Sequence, residues 1–256
     1  MMKAIVIRGP GQLAIIDKEI PRPGPEEALV RIKYCGICGS DRHAFECGFL
    51  PPALTIGHEF SGEIAALGEA CPGFQVGDYV TGNNIIACGQ CHCCLAGREN
   101  LCLEMQRLGI TAEGTMAEYA LIPLKTLVKL ADSAKLEHAA LTEPLSVALH
   151  AANKVNTKAG QQVLILGGGA IGLLVLTLIK NRGAQKVYLV EPDPVKRQVA
   201  EKLGAAKTFN PHADKLEKDL MEQTGNLGAD LIFECAGLPS TLADACSLAA
   251  PGSTIV

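Results

Sequence analysis

The first half of the chain alternates short runs of apolar residues with stretches rich in glycine and proline. Short apolar or alternating runs that end at such turn residues are typical of β-strands. The clearest breaks lie at residues 9–11 and 21–25. The pattern predicts six strands, over residues 3–8, 13–17, 28–34, 61–67, 78–86 and 116–122.

A helical spacing follows these strands. Between residues 141 and 149 leucine recurs every four positions, which is the period of one face of an α-helix. The spacing predicts a helix over residues 136–152, with Asp132 or Ser133 as a cap near its start. Pro144 lies inside this segment and is expected to kink or break the helix.

After about residue 153 the pattern changes to an alternation of strand and helix, which is typical of a parallel, doubly wound sheet. It predicts strands over 162–166, 186–190, 207–209 and 229–233, helices over 171–181 and 194–203, and a further helix before the last strand. We therefore expect two domains, 1–153 and 154–256. The apolar run at 253–256 resembles the start of another strand, so we expect a chain truncated at its C-terminus.

Composition narrows the class of protein. The chain has 256 residues, of which 48% are apolar and 20% charged, which excludes a disordered protein. Its net charge is −4 (23 basic and 27 acidic residues), which argues against a nucleic-acid surface. The uncharged run 163–179 has four glycines in its first ten positions, so we interpret it as a strand plus a helix rather than a membrane span. Only four consecutive apolar residues precede Arg8, too few for the apolar core of a signal peptide, so we expect a cytoplasmic protein.

The eleven cysteines point to metal binding, because an odd number does not suit a disulfide framework. Cys88, Cys91, Cys94 and Cys102 offer four thiolates, and two-residue gaps let successive sulfurs reach one ion. Four cysteines leave no open position, so we expect a structural zinc that holds a lobe over residues 86–104. Cys93 breaks the spacing and is expected to point away, with an alternate ligand role left open.

A second group of metal-binding residue types lies earlier in the chain. Cys35 and Cys38 begin a stretch that ends at His43. His58 and Glu59 follow about twenty positions after Cys38. Cys35 and Cys38 alone could be a redox pair. A mixed cysteine, histidine and carboxylate site is the alternative that we favour, because catalytic zinc takes three protein ligands and leaves one position open.

The segment 163–172 has the pattern of a dinucleotide-binding turn. An apolar strand runs into Gly167, Gly169 and Gly172, and an apolar helix follows. These glycines allow a tight turn, close approach of a pyrophosphate and close helix packing. Glu191 lies 19 residues after the last glycine, at the end of the next strand. A carboxylate there accepts hydrogen bonds from the ribose hydroxyls and repels a 2′-phosphate, so we expect NAD rather than NADP.

These motifs together resemble the zinc-containing medium-chain alcohol and polyol dehydrogenases, the sorbitol dehydrogenase-like family. The resemblance covers almost the whole chain and rests on CGICGSDRH, GHEFSG, VGDYV, CGQCHCCLAGRENLC, TEPLSVALH, the glycine turn and FECAG. It implies an α/β plus β architecture, with a GroES-like catalytic domain followed by a doubly wound Rossmann nucleotide-binding domain.

The resemblance also implies roles for single residues. Cys38 and His58 would be ligands of a catalytic zinc, and Glu59 or Glu143 would complete the site directly or through water. Glu143 could equally be a carboxylate that interacts with the positive end of a helix. By the same resemblance, Asp41 would accept the other ring N–H of His58. Ser40 and His43 would pass a proton to solvent. Ile171 and Lys196 would contact the cofactor.

The function implied is transfer of a hydride from a secondary alcohol or a polyol, such as a sugar alcohol, to NAD, with two zinc ions per chain. The alternatives are a threonine-type dehydrogenase, and a zinc- and NAD-binding protein or inactive fragment without turnover. We expect a small-molecule alcohol substrate, no nucleic acid and no membrane. A homodimer or homotetramer is typical of the family, although a truncated chain would put that assembly in doubt.

Overall fold

A computed structural model describes residues 1–131, 135–158, 160–212 and 215–256. The chain divides into two compact units, Met1–Glu143 and Pro144–Val256. The division lies near the start of the helix Thr142–Asn153, and the predicted boundary at 153 and 154 lies at the end of the same helix. The predicted cap at Asp132 or Ser133 lies outside the described residues.

The first unit is built from short strands, as predicted, and the structure pairs them antiparallel. A five-stranded sheet has the order β8-β3-β4-β5-β9, and two-stranded sheets pair β1 with β2 and β6 with β7. The strands are β1 Met2–Gly9, β2 Gln12–Lys18, β3 Glu27–Gly36, β4 Glu59–Leu67, β5 Tyr79–Gly82, β6 Ile85–Ile86, β7 Gln106–Arg107, β8 Tyr119–Pro123 and β9 Leu127–Lys129. Every second side chain enters one core, as Phe60 and Ile64 do from β4.

The prediction of one strand over 78–86 was wrong in one detail. Asn83 and Asn84 separate β5 from β6, and Oδ1 of Asn83 accepts the main-chain N–H of Ile85 at 3.0 Å. An asparagine side chain that bonds two residues ahead turns the backbone. The apolar run therefore contributes to two sheets.

The helices of the first unit are α1 Gly39–Cys47, α2 His92–Leu95 and α3 Leu136–Ala139. The pattern did not predict α1, which packs the buried Ala44 against Ile7. The predicted helix over 136–152 is two helices, α3 and α4 (Thr142–Asn153), which separate at residues 140–141. Pro144 was expected to kink or break the helix, and the helix does break within the four residues before it. A proline ring clashes with the carbonyl four residues earlier, here that of Ala140. Pro144 itself lies in the first turn of α4, where the missing N–H of proline has no partner to lose.

The second unit is a doubly wound parallel sheet, as predicted. Its strand order is β12-β11-β10-β13-β14, and all four pairings are parallel. The elements are β10 Gln162–Leu166, α5 Ala170–Asn181, β11 Lys186–Val190, α6 Pro194–Lys202, β12 Lys207–Phe209, α7 Leu216–Gln223, β13 Ala229–Glu234, α8 Pro239–Ser247 and β14 Ala249–Ile255. Val163 and Ile165 of β10 belong to one core, and Leu164 and Leu166 belong to the core on the other face.

The uncharged run 163–179 forms β10 and most of α5, as its glycines predicted. None of the helices in the described part of the chain has both the length and the apolar character that a membrane crossing requires.

Candidate active site

Cys38 lies at the start of α1, where it immediately precedes the first helical turn. Its main-chain N–H donates to Oδ2 of the buried Asp41 at 2.9 Å, which ties the two ends of that turn together. Ser40 is half-buried in the same turn, and His43 is exposed three residues later. Because residues three apart share a helix face, Ser40 and His43 lie on one side of α1.

His58 and Glu59 lie where β4 begins, and both are buried, with 3% and 8% of their surface exposed. The preceding Gly57 has a φ of +92°, which turns the chain into the strand. Its carbonyl accepts the main-chain N–H of Thr115 at 2.9 Å. The imidazole and the carboxylate therefore extend from a backbone that a neighbouring loop holds in place.

We expect Gly57→Ala to lower the free energy of unfolding by about 3 kcal/mol. A Cβ at this position would lie 2.5 Å from Cγ of Met116 and 3.0 Å from Sγ of Cys35, and its φ would be strained as well. Urea denaturation measures the effect. Gly73→Ala is the matched control, because Gly73 has a φ of +84° with nothing within 4 Å, so only about 1 kcal/mol of backbone strain is expected. Equal losses at the two positions would contradict crowding at Gly57.

Three of the predicted ligands come together. Sγ of Cys38, a ring nitrogen of His58 and a carboxylate oxygen of Glu59 all lie within 4.8 Å of one another. Glu143 interacts electrostatically with His58 and Glu59 but does not belong to this 4.8 Å group in the described part of the chain. A thiolate, an imidazole and a carboxylate are ligands that zinc takes in proteins, and three of them leave a fourth position open.

Asp41 lies beside His58, but the hydrogen bond expected between them is not formed. Oδ1 of Asp41 is 3.9 Å from Nδ1 of His58, which exceeds hydrogen-bond length. Nδ1 of His58 is buried and has no hydrogen-bond partner. Asp41 thus faces Nδ1 of His58 with one carboxylate oxygen, and its other oxygen accepts the main-chain N–H of Cys38.

The electrostatics of the group also suit a cation. Burial lowers the pKa of His58, but its contacts with Cys38 and the acidic side chains nearby outweigh burial, so the pKa is raised overall. Burial raises the pKa of Glu59, and His58 only partly offsets it. Burial likewise raises the pKa of Glu143, and the neighbouring carboxylates of Glu59 and Asp41 add to the effect. Three carboxyl groups around one imidazole leave an excess of negative charge that a divalent ion would balance.

The imidazole of His43 lies between two side chains near the end of α1. Sγ of Cys47 is 3.7 Å from Nδ1 and 3.9 Å from Nε2 of the ring. The ring of Phe49 lies 5.7 Å from it, centroid to centroid. His43 is exposed, so a proton on this ring has access to solvent.

Cys35 and Cys38, the alternative redox pair, have different surroundings. Sγ of Cys35 is 3.3 Å from the hydroxyl of Thr115, and burial raises its pKa to about 11. A thiol with a raised pKa is a poor nucleophile for disulfide exchange. Cys38 instead contacts His58. The geometry therefore favours the metal interpretation of Cys38.

The four-cysteine motif forms a second cluster. The Sγ atoms of Cys88, Cys91, Cys94 and Cys102 all lie within 4.8 Å of one another. Main-chain N–H groups point at the sulfurs: the N–H of Cys88 donates to Sγ of Cys102 at 3.2 Å, and that of Cys91 donates to Sγ of Cys88 at 3.4 Å.

Such donors favour thiolates, the form in which cysteine binds zinc. They lower the pKa of Cys91 to about 6, with the N–H of Leu103 as the largest cause. The set fits a closed tetrahedral zinc site. Cys93 is buried and lies outside the cluster, and its Sγ is 3.4 Å from Nε2 of His92.

The glycine turn joins β10 to α5. Gly167 has a φ of +101°, and a Cβ on it would lie 2.9 Å from the main-chain nitrogen of Ala236. A Cβ on Gly172 would meet the carbonyl oxygen of Gly167, so the helix packs directly on the turn. Nothing lies within 4 Å of the Cβ position of Gly169, where the fingerprint requires space for a pyrophosphate. Ile171 follows in the first turn of α5.

Glu191 follows β11 and is 6% exposed. Its Oε2 accepts the main-chain N–H of Gly168 at 2.8 Å, and its Oε1 accepts that of Asp193 at 3.0 Å. The carboxylate thus connects the glycine turn to the loop before α6. Lys196 is exposed in the first turn of α6, and the guanidinium of Arg197 donates to the carbonyl of Glu191 at 2.8 Å.

Glu234, part of the motif FECAG, was not predicted as a site residue from the sequence. Oε1 of Glu234, at the end of β13, accepts the main-chain N–H groups of Ala236 and Gly237 at 2.9 and 3.0 Å, and the hydroxyl of Thr241 at 2.7 Å. It shapes the loop that packs against Gly167. A carboxylate at the carboxyl end of a parallel strand is the sequence signal that identifies such a residue.

Comparison with known families agrees with these two units. Residues 24–132 match the alcohol dehydrogenase GroES-like domain, and residues 170–256 match the zinc-binding dehydrogenase domain. With the parallel sheet of the second unit, this confirms the predicted fold class.

Individual relatives are similar over nearly the whole chain. The L-threonine 3-dehydrogenase of Pyrococcus horikoshii is 33% identical over 99% of this chain and 74% of its own length. The sorbitol dehydrogenase of Halalkalibacterium halodurans is 36% identical over 92% of this chain and 70% of its own length. A zinc-binding dehydrogenase structure from Sinorhizobium meliloti 1021, bound to NADP, superimposes with a TM-score of 0.93 at 38% identity, over 100% of this chain and 75% of that one.

Proposed function

Because the chain belongs to the zinc-containing alcohol and polyol dehydrogenases, and is thus an oxidoreductase, we propose that it transfers a hydride from a secondary alcohol or a polyol to NAD. The observation that carries this proposal is the convergence of Cys38, His58 and Glu59 within 4.8 Å. We assign a catalytic zinc to this group, with Glu143 as a further ligand directly or through water. We assign a structural zinc to the four-cysteine cluster.

Zinc bound at such a site supplies Lewis acidity that brings the pKa of a coordinated hydroxyl towards neutrality, and a nicotinamide supplies the hydride acceptor. The side chains of the first unit hold and orient this centre. Asp41 fixes the first turn of α1 behind Cys38 and lies beside Nδ1 of His58. A small rotation of either side chain would bring the 3.9 Å separation to a hydrogen bond and fix the tautomer of His58.

The proton lost by the alcohol needs a path to solvent, and we assign that path to Ser40 and His43. Ser40 is half-buried two residues after Cys38, and His43 is exposed on the same face of α1. A hydroxyl can both accept and donate a proton. An imidazole ordinarily titrates near neutral pH. Ser40 would therefore take the proton inside the site, and His43 would release it.

We assign cofactor binding to residues of the second unit. The free N–H groups at the start of α5 suit a pyrophosphate, and the open side of Gly169 gives it room. Gly167 and Gly172 allow the tight turn and the close packing of α5, and Ile171 lies in the first turn of that helix. Glu191 would receive the ribose hydroxyls, and Lys196 would lie at the rim.

The preference for NAD is a prediction that Glu191→Gln tests. The Sinorhizobium meliloti relative binds NADP, so the preference in this chain depends on its own residues. We expect the kcat/KM ratio of NAD to NADP to fall by about 10- to 100-fold, because the amide removes the charge that repels a 2′-phosphate and one acceptor for the ribose. Steady-state kinetics with both cofactors measures the ratio. Glu201→Gln, an exposed carboxylate on α6, is the control and should leave the ratio within about twofold. An unchanged ratio in Glu191→Gln would contradict the assignment.

A threonine-type dehydrogenase is the second candidate, because the Pyrococcus horikoshii relative carries that name at 33% identity. Both candidates use the same metal and cofactor residues. The discriminating observation is the substrate. A polyol is uncharged, whereas threonine carries both a carboxylate and an ammonium group. Turnover of one substrate class and not the other therefore separates the two candidates.

The test is zinc content by elemental analysis together with NADH formation, followed at 340 nm, for a panel of polyols, secondary alcohols and threonine. About two zinc ions per chain and turnover of polyols or secondary alcohols would support the proposal. Turnover of threonine alone would establish the second candidate. One zinc that survives Cys38→Ser, with no turnover of any substrate, would favour a zinc- and NAD-binding protein.

Further assignments belong to the same proposal. We propose a homodimer or homotetramer that works in the cytoplasm on a small-molecule substrate and binds no nucleic acid, in keeping with the net charge of −4. Light scattering after size-exclusion chromatography measures the assembly, and a monomeric mass would contradict it.

A further inference from the structure

Two buried hydroxyl groups lie side by side beneath the segment that leads to Glu143. Ser61 of β4 and Thr81 of β5 are directly opposite each other in the antiparallel pairing of these strands. Only 0% and 2% of their surfaces are exposed. Residues paired in this way point to the same face of a sheet, so the two hydroxyls form one polar patch on that face.

This patch binds helix α3. The hydroxyl of Ser61 donates to the carbonyl oxygen of Leu136 at 2.5 Å. The hydroxyl of Thr81 lies 3.2 Å from the carbonyl oxygen of Ala139 and 2.8 Å from that of Phe60. A helix of four residues leaves its last carbonyls without helical partners, and a buried carbonyl needs one. Ser61 and Thr81 thus contact the carbonyl groups of the first and last residues of α3.

The same face of β4 carries the metal group. Glu59 and Ser61 are two residues apart on one strand, so their side chains share a face, whereas Phe60 between them belongs to the core of the sheet. Helix α3 contacts β4 on the face of the two hydroxyls. Glu143 follows the last residue of α3 by four positions, and it interacts electrostatically with His58 and Glu59.

We propose that Ser61 and Thr81 are positioning residues, which fix α3 on the sheet and thereby set the approach of Glu143 to the group formed by Cys38, His58 and Glu59. This inference rests on the metal role given to Glu143 under the proposed function. The chain from Ala139 to Glu143 is short, so a shift of α3 on its hydroxyl contacts is passed on to the carboxylate of Glu143.

The test uses the full zinc-loaded chain with Ser61→Ala and Thr81→Val. The first readout is the rate at which a chelator removes the catalytic zinc, and the second is the visible spectrum after cobalt is exchanged into that site. We expect about 10-fold faster release and a changed cobalt spectrum, because residues that orient metal ligands typically affect affinity by 10- to 100-fold. Thr81→Ser keeps the hydroxyl and should release zinc within about twofold of the parent.

Thr126→Val is the matched control for stability. The hydroxyl of Thr126, also buried in the first unit, donates to the carbonyl of Pro123 at 2.8 Å rather than to a carbonyl of α3. Thr126→Val should lower the melting temperature about as much as Ser61→Ala, while the rate of zinc release and the cobalt spectrum stay unchanged. If Thr126→Val accelerates zinc release as much as Ser61→Ala, the effect is general destabilisation and the proposal is overturned.

Glu143→Gln separates this inference from the proposed function. We expect Glu143→Gln to accelerate zinc release, and Ser61→Ala to add less than about twofold in that background, because both act through one carboxylate. If Glu143→Gln has no effect, Glu143 has no role at the centre, and the metal assignment of Glu143 fails together with this inference. If it has an effect and neither Ser61→Ala nor Thr81→Val does, only the positioning role is wrong.

Discussion

We expect replacement of Cys38 by serine to lower kcat/KM for alcohol oxidation by at least about 1000-fold, which corresponds to roughly 4 kcal/mol of lost transition-state stabilisation. The thiolate is one of three side chains that meet within 4.8 Å. A serine hydroxyl remains protonated at neutral pH and is a much weaker zinc ligand. Without the thiolate, an imidazole and carboxylates remain, and we expect them to lose the ion to a chelator.

The measurement pairs steady-state kinetics with zinc analysis. We expect the Cys38→Ser protein to hold about one zinc per chain, which is the ion of the four-cysteine cluster. Cys246→Ser is the control, because Cys246 is an exposed free thiol on α8. Its replacement should leave both zinc ions and full activity in place. Normal turnover in Cys38→Ser would exclude the assignment of the catalytic metal.

Replacing Cys94 by serine is expected to remove the other zinc and to unfold the lobe around it. The cluster of this lobe consists almost entirely of cysteine: Ala87, Cys94 and Cys102 are its buried members, and Cys88, Cys91 and Met105 pack against them. Without the ion, so few apolar side chains cannot hold the segment. We expect a loss of about 4 kcal/mol, or roughly 10 °C in melting temperature.

Calorimetry and zinc analysis measure this second effect, and Cys93→Ala is the matched control. Cys93 is as buried as Cys94 and adjacent to it in sequence, but it lies outside the cluster of sulfurs. Cys93→Ala should keep both zinc ions and nearly the full melting temperature. The reverse outcome, with zinc lost in Cys93→Ala and kept in Cys94→Ser, would make Cys93 the ligand.

The sequence alone predicted those parts of the site whose chemistry depends on local spacing. Cysteines two residues apart, and glycines between an apolar strand and an apolar helix, reach one ion or one phosphate through a few residues of backbone. The predicted sulfur cluster and the predicted turn therefore come together in the structure at the expected positions. The alternation of strand and helix segments in the second unit likewise predicted a parallel sheet, because each segment can be identified from its own local pattern of apolar residues.

Features that depend on distant parts of the chain were not predictable in this way. Helix α1 has glycine and cysteine at its start and no regular apolar period. Its conformation therefore depends on burial against β1 and not on its own sequence pattern. The contacts of α3 with the sheet come from hydroxyl groups that are distant in sequence, since Ser61 is 75 positions from Leu136 and Thr81 is 58 positions from Ala139. The choice between Glu59 and Glu143 as a zinc ligand also depends on residues that are distant in sequence. Folding brings Glu59 into the group with Cys38 and His58, and it brings Glu143 near that group without joining it.

The difference between the two proposed metal centres has a consequence for which ions the chain can accept. Four sulfurs form a soft site, which selects zinc or other thiophilic ions and rejects magnesium and manganese. The group of Cys38, His58 and Glu59 mixes soft, intermediate and hard ligands and is less discriminating among divalent transition ions. With both proposed sites loaded, we therefore expect the lobe to keep its ion while the reactive centre exchanges its ion according to the metals available.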